Sequence, residues 1–133
     1  MLKSQPITVA IARPYGEVYD FLADPLNFAR WASVPDTVME PLGDDEWLVE
    51  IPRGRSVMRF SPRNPYGVLD YSVKLLAGGP ETTTPVRLLA NGDGADLVLF
   101  WFRRDGVDDV QFASEIDWIV SDLERLKSLL EAK

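Results

Sequence analysis

One tyrosine in this sequence is placed where its hydroxyl could act on a bound molecule. In the segment "VLDYSVKL", alternate residues belong to opposite faces if the segment is a β-strand. The face that must be buried contains Leu69, Tyr71, Val73 and Leu75. The Tyr71 hydroxyl would then donate a hydrogen bond to a ligand carbonyl or act as a weak acid. The alternative is a large core residue whose hydroxyl reaches water at the rim.

Arginine is the second residue type with suitable chemistry, because a buried guanidinium can hold a carboxylate or an enolate. The candidates are Arg53, Arg55, Arg59, Arg63 and Arg87. Side chains alternate between the two faces of a strand, so Arg59 lies on the face opposite to Met58 and Phe60. Because these two residues are expected to point inward, Arg59 is predicted to point outward. The ordinary preference of arginine for the surface predicts the same for the others. Arg87 is kept as a candidate because its strand neighbours the apolar strand at 97–104.

The sequence contains no cysteine and no histidine. Disulfides, thiol nucleophiles, histidine-dependent triads and thiolate or imidazole metal sites are therefore excluded. Any catalysis must use carboxylates, Lys, Arg, Tyr, Ser or Thr. Acidic residues cluster at 44–46, at 108–109 and at 115 and 117, where the usual exposure of carboxylates predicts solvated charge. We therefore expect no metal and no cofactor, and assign no catalytic residue.

Charge and hydropathy limit the partners. The net charge is −7, from 21 acidic and 14 basic residues, which argues against binding to nucleic acid or to an anionic membrane surface. No apolar run approaches the about 20 residues of a membrane span, so we expect no stable membrane insertion. The segment "MLKSQPITVA" lacks the apolar core and cleavage site of a secretory signal, which predicts a cytoplasmic protein.

The first part of the chain reads as one strand and two helices. Period-two apolar positions predict a strand at 7–11. Helical spacing of Val18, Phe21 and Leu22 after Pro14 predicts a helix. A second, short helix follows Asp24-Pro25 and carries Phe28 and Trp31.

The rest of the chain reads as six strands and one long helix. Turn signals separate strands at 37–42, 46–51, 55–61, 68–76, 82–90 and 95–104. The helix, 109–132, has Asp108 as its cap and Gln111 as the capping-box partner. Its apolar stripe is Phe112, Ile116, Ile119, Leu123, Leu126 and Leu130. We predict one α+β domain over residues 1–133, with the order β-α-α-β6-α and the long helix in the concave side of a curved antiparallel sheet.

The strand "LVLFWFRR" (97–104) is apolar on both faces. Strand alternation separates Leu97, Leu99 and Trp101 from Val98, Phe100 and Phe102 without showing which set is buried; we expect Trp101 to point inward. The other face is then either covered by a second subunit or left as an exposed patch. Trp118 lies off the helix stripe, so we expect it to be partly exposed. If a second subunit covers this face, the expected contact is a homodimer through 97–104 and Trp118.

Four segments carry a resemblance to a known family: "ITVAIARPYGEVYDFLADPLNFARWA", "NPYGVLDYSVKL", "VRLLANGDGADLVLFWFRR" and "EIDWIVSDLERLKSLLE". With the order of elements, they resemble the START or birch-pollen-allergen (SRPBCC) superfamily, and the last three are similar to its bacterial polyketide cyclase/dehydrase-like subgroup. The resemblance implies the helix-grip fold, with a hydrophobic cavity between sheet and long helix that serves lipids, sterols, polyketides or plant hormones. Members include enzymes and carriers, and no catalytic motif is common to all.

Two functions follow from this sequence. The first is binding of a small hydrophobic ligand in the cavity, with cyclisation, dehydration or isomerisation as the chemistry if the protein is an enzyme. Its predicted walls are Trp31, Trp47, Met58, Phe60, Tyr71, Arg87, Leu88, Trp101 or Phe100, Phe112 and Ile116. The second is a non-catalytic protein-interaction or dimerisation module with a filled cavity. An interior space of roughly 300 Å³ or more favours the first.

Overall fold

The chain forms eight strands and three α-helices in a computed structural model that describes residues 1–32, 39–51 and 53–132. The elements are β1 Ser4–Ile11, α1 Tyr15–Ala23, a 3-10 turn Pro25–Asn27, α2 Phe28–Trp31, β2 Glu40–Gly43, β3 Glu46–Ile51, β4 Gly54–Phe60, β5 Tyr71–Leu75, β6 Thr82–Thr84, β7 Val86–Asn91, β8 Gly94–Phe102 and α3 Asp109–Glu131. The predicted strand at 37–42 falls partly outside the described residues.

The strands form one curved antiparallel surface made of two sheets. The first sheet has the order β1-β8-β7, and the second has the order β2-β3-β4-β5-β6. The segment before β5 joins them: the Leu69 amide donates to the Val86 carbonyl, and the Leu88 amide donates to the Gly67 carbonyl, each at 2.9 Å. With α3 against the sheet, the predicted α+β helix-grip architecture is confirmed.

The strand count differs from the prediction at one point. The segment predicted as one strand, 82–90, is divided into β6 and β7 at Pro85. Proline has no amide hydrogen and interrupts a ladder there. On one side β6 pairs with β5, and on the other β7 pairs with β8. Seven strands therefore follow the helices instead of six, and the chain passes from one sheet to the other at Pro85.

The long helix α3 has two different halves. It begins as predicted, with the Asp108 carboxylate accepting the Gln111 amide at 2.8 Å. In the second half, Leu123, Leu126 and Leu130 are fully buried against the core. Each such side chain contributes about 1.5–3 kcal/mol of burial. In the first half, Ile116 and Ile119 are only partly buried. The second half therefore closes the core, and the first half borders an open space.

Gly67 permits the close approach to Leu88 by which the two sheets are joined. Gly67 has φ +69°, and a Cβ at this position would overlap the carbonyl oxygen of Leu88. The Asn64 side chain holds the same loop by donating to the Val68 carbonyl at 2.9 Å and accepting the Tyr66 amide at 3.0 Å.

No helix in the described part of the chain is both long and apolar enough to cross a membrane.

Candidate functional site

A cavity of about 450 Å³ lies between the sheet and the first half of α3. This volume falls within the about 300–1,000 Å³ of typical ligand pockets, and the cavity opens to solvent on one side. Its lining is Phe28, Trp31, Ala32, Ile51, Arg53, Met58, Tyr71, Val73, Thr82, Thr84, Leu99, Trp101, Arg104, Gln111, Ser114, Glu115, Trp118, Ile119 and Asp122. The cavity is thus built from inward strand positions, α2 and one flank of α3.

The apolar wall is organised around Phe28 of α2. Its ring makes edge-to-face contacts with Trp31 at 5.3 Å and with Tyr71 at 5.4 Å between centroids. Both distances are in the favourable range for aromatic pairs, about 4.5–7 Å. Met58 and Val73, which are cross-strand partners on β4 and β5, continue this wall. The result is a continuous aromatic and aliphatic surface.

Tyr71 brings a hydroxyl into this wall. Burial raises the pKa of Tyr71 to about 12, the nearby Asp122 carboxylate acts in the same direction, and a hydrogen bond with the Thr84 side chain opposes them. The phenol is therefore protonated at neutral pH. A protonated phenol can donate a hydrogen bond and cannot act as a base.

A charged group stands on the same cavity. The Arg104 Nη2 donates to Glu115 Oε2 at 2.8 Å, and the Trp101 Nε1–H donates to Glu115 Oε1 at 3.1 Å. Arg53 lies nearby: desolvation and the Arg104 charge lower its pKa, while Glu115 raises it. Glu115 thus fixes both Arg104 and the Trp101 ring, and a second guanidinium stands beside this pair.

The orientation of β8 is as expected. Leu97 and Leu99 are buried and Trp101 lines the cavity, whereas Phe100 and Phe102 are 38% and 37% exposed on the opposite face. Trp118 is 48% exposed, as its helix position predicts. It lines the cavity on the inner side of the sheet, so it shares no surface with Phe100 and Phe102. The homodimer surface predicted from 97–104 and Trp118 is therefore split between two sides of the molecule.

Four of the predicted wall residues line the cavity: Trp31, Met58, Tyr71 and Trp101. Five apolar ones lie elsewhere. Phe60 packs beneath Phe28 at 5.6 Å, and Leu88 is in the core. Phe112 is buried at the start of α3, and Ile116 is turned towards the core. Trp47 pairs with Met58 across β3 and β4 without reaching the cavity.

The arginine kept from the sequence also lies outside the cavity. Arg87 forms an ion pair with Asp70 and donates to the Val86 carbonyl. Arg53, which the surface preference predicts to be solvated, is exposed but stands at the cavity. Arg104 was not among the candidates. The Gln111, Glu115, Trp118 and Asp122 positions were missed too, although their spacing of three or four residues marks one flank of a helix.

Among the described residues, no group of three or more carboxylates is arranged to hold a metal ion. The lining carboxylates have other partners: Glu115 is held as above, and Asp122 pairs with Arg125 at 3.0 Å. The site therefore combines an apolar pocket with the Tyr71 phenol, two guanidiniums and two carboxylates that already have partners.

Solved structures share this fold. DynU16, a protein in the dynemicin biosynthetic locus, is 18% identical with a TM-score of 0.64 over 96% of this chain, which spans only 47% of DynU16. CalU16 from Micromonospora echinospora is 20% identical, with a TM-score of 0.65 over 96% of this chain and 74% of CalU16. Ara h 8.0201 is 9% identical, with a TM-score of 0.68 over 100% of both chains. No protein-family model and no curated protein matches the sequence. The likenesses show that the chain shares the helix-grip fold of these structures.

Proposed function

We propose that this chain binds a small hydrophobic molecule in the cavity between the sheet and α3. The observation that carries the proposal is the space itself, about 450 Å³ with Phe28, Trp31, Met58 and Leu99 on its walls. Ligand pockets combine such walls with a few polar groups that fix orientation. Tyr71 and Arg53 are groups of that kind.

The ligand class in this proposal is polyketide-like. It is supported by the resemblance of the sequence to the polyketide cyclase/dehydrase-like subgroup and by the fold shared with DynU16, a protein in the dynemicin biosynthetic locus. Binding comes first in the proposal. Catalysis is the further step: on a ligand with a carbonyl group, the protonated Tyr71 would polarise that carbonyl while the walls hold the chain folded for cyclisation or dehydration.

The alternative was an interaction module with a filled interior. The cavity volume counts against it, because a filled interior would leave no space of about 450 Å³. Dimerisation by itself stays a prediction, now limited to the outer face of β8 with Phe100 and Phe102. A measured molecular mass in solution tests it: a monomer would leave this face as an exposed patch.

Binding is tested with the neutral fluorescent probe N-phenylnaphthylamine and with a cavity-filling variant. Ile119 is partly buried and lines the cavity, so Ile119→Trp should occupy the space and abolish probe binding. Val120, the next residue on α3, is 42% exposed, so Val120→Trp is the matched control and should bind the probe like the natural protein. Ser114→Trp, at an exposed lining position, serves as a second blocking variant if Ile119→Trp unfolds.

The proposal fails if the natural protein gives no saturable probe fluorescence. It also fails if a folded blocking variant binds the probe as well as Val120→Trp does. Native mass spectrometry of the purified protein adds a probe-free measurement, in which a co-purified mass of ligand size is expected.

A further inference from the structure

Arg53 differs from the other arginines of its region. Arg59 pairs with Glu46 at 2.8 Å, Arg63 with Asp20 at 2.6 Å and Arg55 with Glu50 at 3.9 Å. Within residues 1–32, 39–51 and 53–132, Arg53 forms no ion pair. The protein carries a net charge of −7, so carboxylates are plentiful. An arginine without one, standing at a cavity, has its donors free for a ligand.

Two charged groups lie near Arg53 and act on it in opposite directions. The Arg104 guanidinium, which also lines the cavity, disfavours the charged form of Arg53, whereas the Glu115 carboxylate favours it. Glu115 is the carboxylate between them, but it is already engaged by Arg104 at 2.8 Å and by the Trp101 indole at 3.1 Å. The other lining carboxylate of the described residues, Asp122, is paired with Arg125. One positive charge therefore remains without a counter-charge.

Arg103, the neighbour of Arg104 in sequence, does not add to this group. It donates to the Val107 carbonyl and to the Asp109 carboxylate, each at 2.5 Å. The two guanidiniums at the cavity are thus Arg53, which is free, and Arg104, which keeps N–H groups beyond those bound to Glu115. A guanidinium has five N–H donors in a planar fork that matches the two oxygens of a carboxylate.

We propose that Arg53 and Arg104 form a subsite for the anionic group of an amphipathic ligand, a monocarboxylate whose apolar body lies against Phe28, Met58 and Trp101. This rests on the proposed function, because it assigns one end of a ligand held in the same cavity. The arginine pair binds the charged end, and the aromatic wall takes up the hydrocarbon. A ligand that lacks the acid group binds to the wall alone and therefore more weakly.

The test uses two probes that differ only in an acid group. Anilinonaphthalenesulfonate carries a sulfonate, and N-phenylnaphthylamine is the same ring system without it. Arg53→Gln should lower the affinity for the anionic probe by about fivefold or more, as expected for loss of a charge-assisted hydrogen bond at a partly solvated site. The affinity for the neutral probe should change by less than about twofold. Added salt should weaken only the anionic probe, and should do so less in Arg53→Gln.

Arg55→Gln is the matched control. Arg55 lies two residues away and is 60% exposed, and it does not line the cavity, so its removal changes the net charge equally without touching the subsite. Arg53→Lys, which keeps the charge and loses the fork, should fall between the natural protein and Arg53→Gln. Competition between dodecanoate and dodecanol for the neutral probe extends the test to a carboxylate: dodecanoate should bind more tightly, and its advantage should shrink in Arg53→Gln.

The outcomes separate the two proposals. If neither probe binds, the cavity proposal fails, and this inference fails with it. If the neutral probe binds but Arg53→Gln weakens both probes equally, or weakens the anionic probe no more than Arg55→Gln does, the cavity proposal stands and the carboxylate subsite is wrong.

Discussion

Replacing Glu115 is predicted to lower the stability of the fold and to raise the affinity of the cavity for an anion. Its side chain is 16% exposed and accepts from Arg104, which is 22% exposed, and from the Trp101 indole. Glu115→Ala removes both contacts and leaves a mostly buried guanidinium without its carboxylate. A hydrogen bond to a charged group is worth about 1.5–3 kcal/mol, and partial solvation screens the pair, so we expect a loss of about 2 kcal/mol. Glu115→Gln keeps an acceptor for Trp101 and should lose about half as much.

The same change should have the opposite effect on an anionic ligand. Without the Glu115 charge, the cavity holds two guanidiniums with no carboxylate between them. Glu115→Gln should therefore bind anilinonaphthalenesulfonate more tightly than the natural protein does, although it is less stable. A general loosening of the fold would instead weaken both the anionic and the neutral probe.

Urea unfolding followed by tryptophan fluorescence measures the stability part. In thermal unfolding, the same loss of about 2 kcal/mol corresponds to a fall in Tm of roughly 6–10 °C for a domain of this size. Asp117→Ala is the control, because Asp117 is an exposed carboxylate on the same helix. The reasoning is refuted if Glu115→Ala costs no more than Asp117→Ala, or if Glu115→Gln binds the anionic probe less tightly than the natural protein.

Two further predictions concern Tyr71 and Gly67. The pKa of Tyr71 is raised to about 12, so its contribution to stability is fully present below the ordinary pKa of about 10 and is lost as pH rises towards 12. Urea unfolding across this alkaline range should therefore show a fall in stability that is smaller in Tyr71→Phe; equal falls would contradict the assignment, and Tyr71→Phe should also weaken a carbonyl ligand without unfolding the protein. Gly67→Ala should cost more than the roughly 1–2 kcal/mol of a left-handed residue, because its Cβ meets the Leu88 carbonyl. Gly92→Ala, at φ +57° in open space, is the control, and equal losses in unfolding free energy would show that the close approach does not matter.

The elements that depend on local pattern were predictable. β3 begins and ends at the predicted residues, and Asp108 caps α3 through Gln111 as its position indicates. Alternation and helical spacing are properties of neighbouring residues, so they can be read along the chain. The split at Pro85 was also visible in principle, because proline cannot donate within a ladder.

The candidate site was predictable only in part, because its members come from distant segments. Trp31, Met58, Tyr71 and Trp101 were found as large inward residues, but a buried apolar side chain can equally fill the core, as Leu88 does. Residue type alone does not separate a cavity wall from a packed interior. That difference arises because the first half of α3 borders open space, while its second half packs against the core.

Local pattern predicts the strands and helices in their order, apart from the break at Pro85, and it predicts the amphipathic long helix; composition excludes histidine and cysteine chemistry. Which face of β8 is buried depends on the packing of the whole chain, since both faces are apolar and alternation is symmetric. Long-range packing also places Arg87 against Asp70, and Arg53 at the cavity with Arg104. The position of an arginine in its strand can be predicted from local pattern, but the counter-charge that it meets depends on how strands and helices far apart in the chain are brought together.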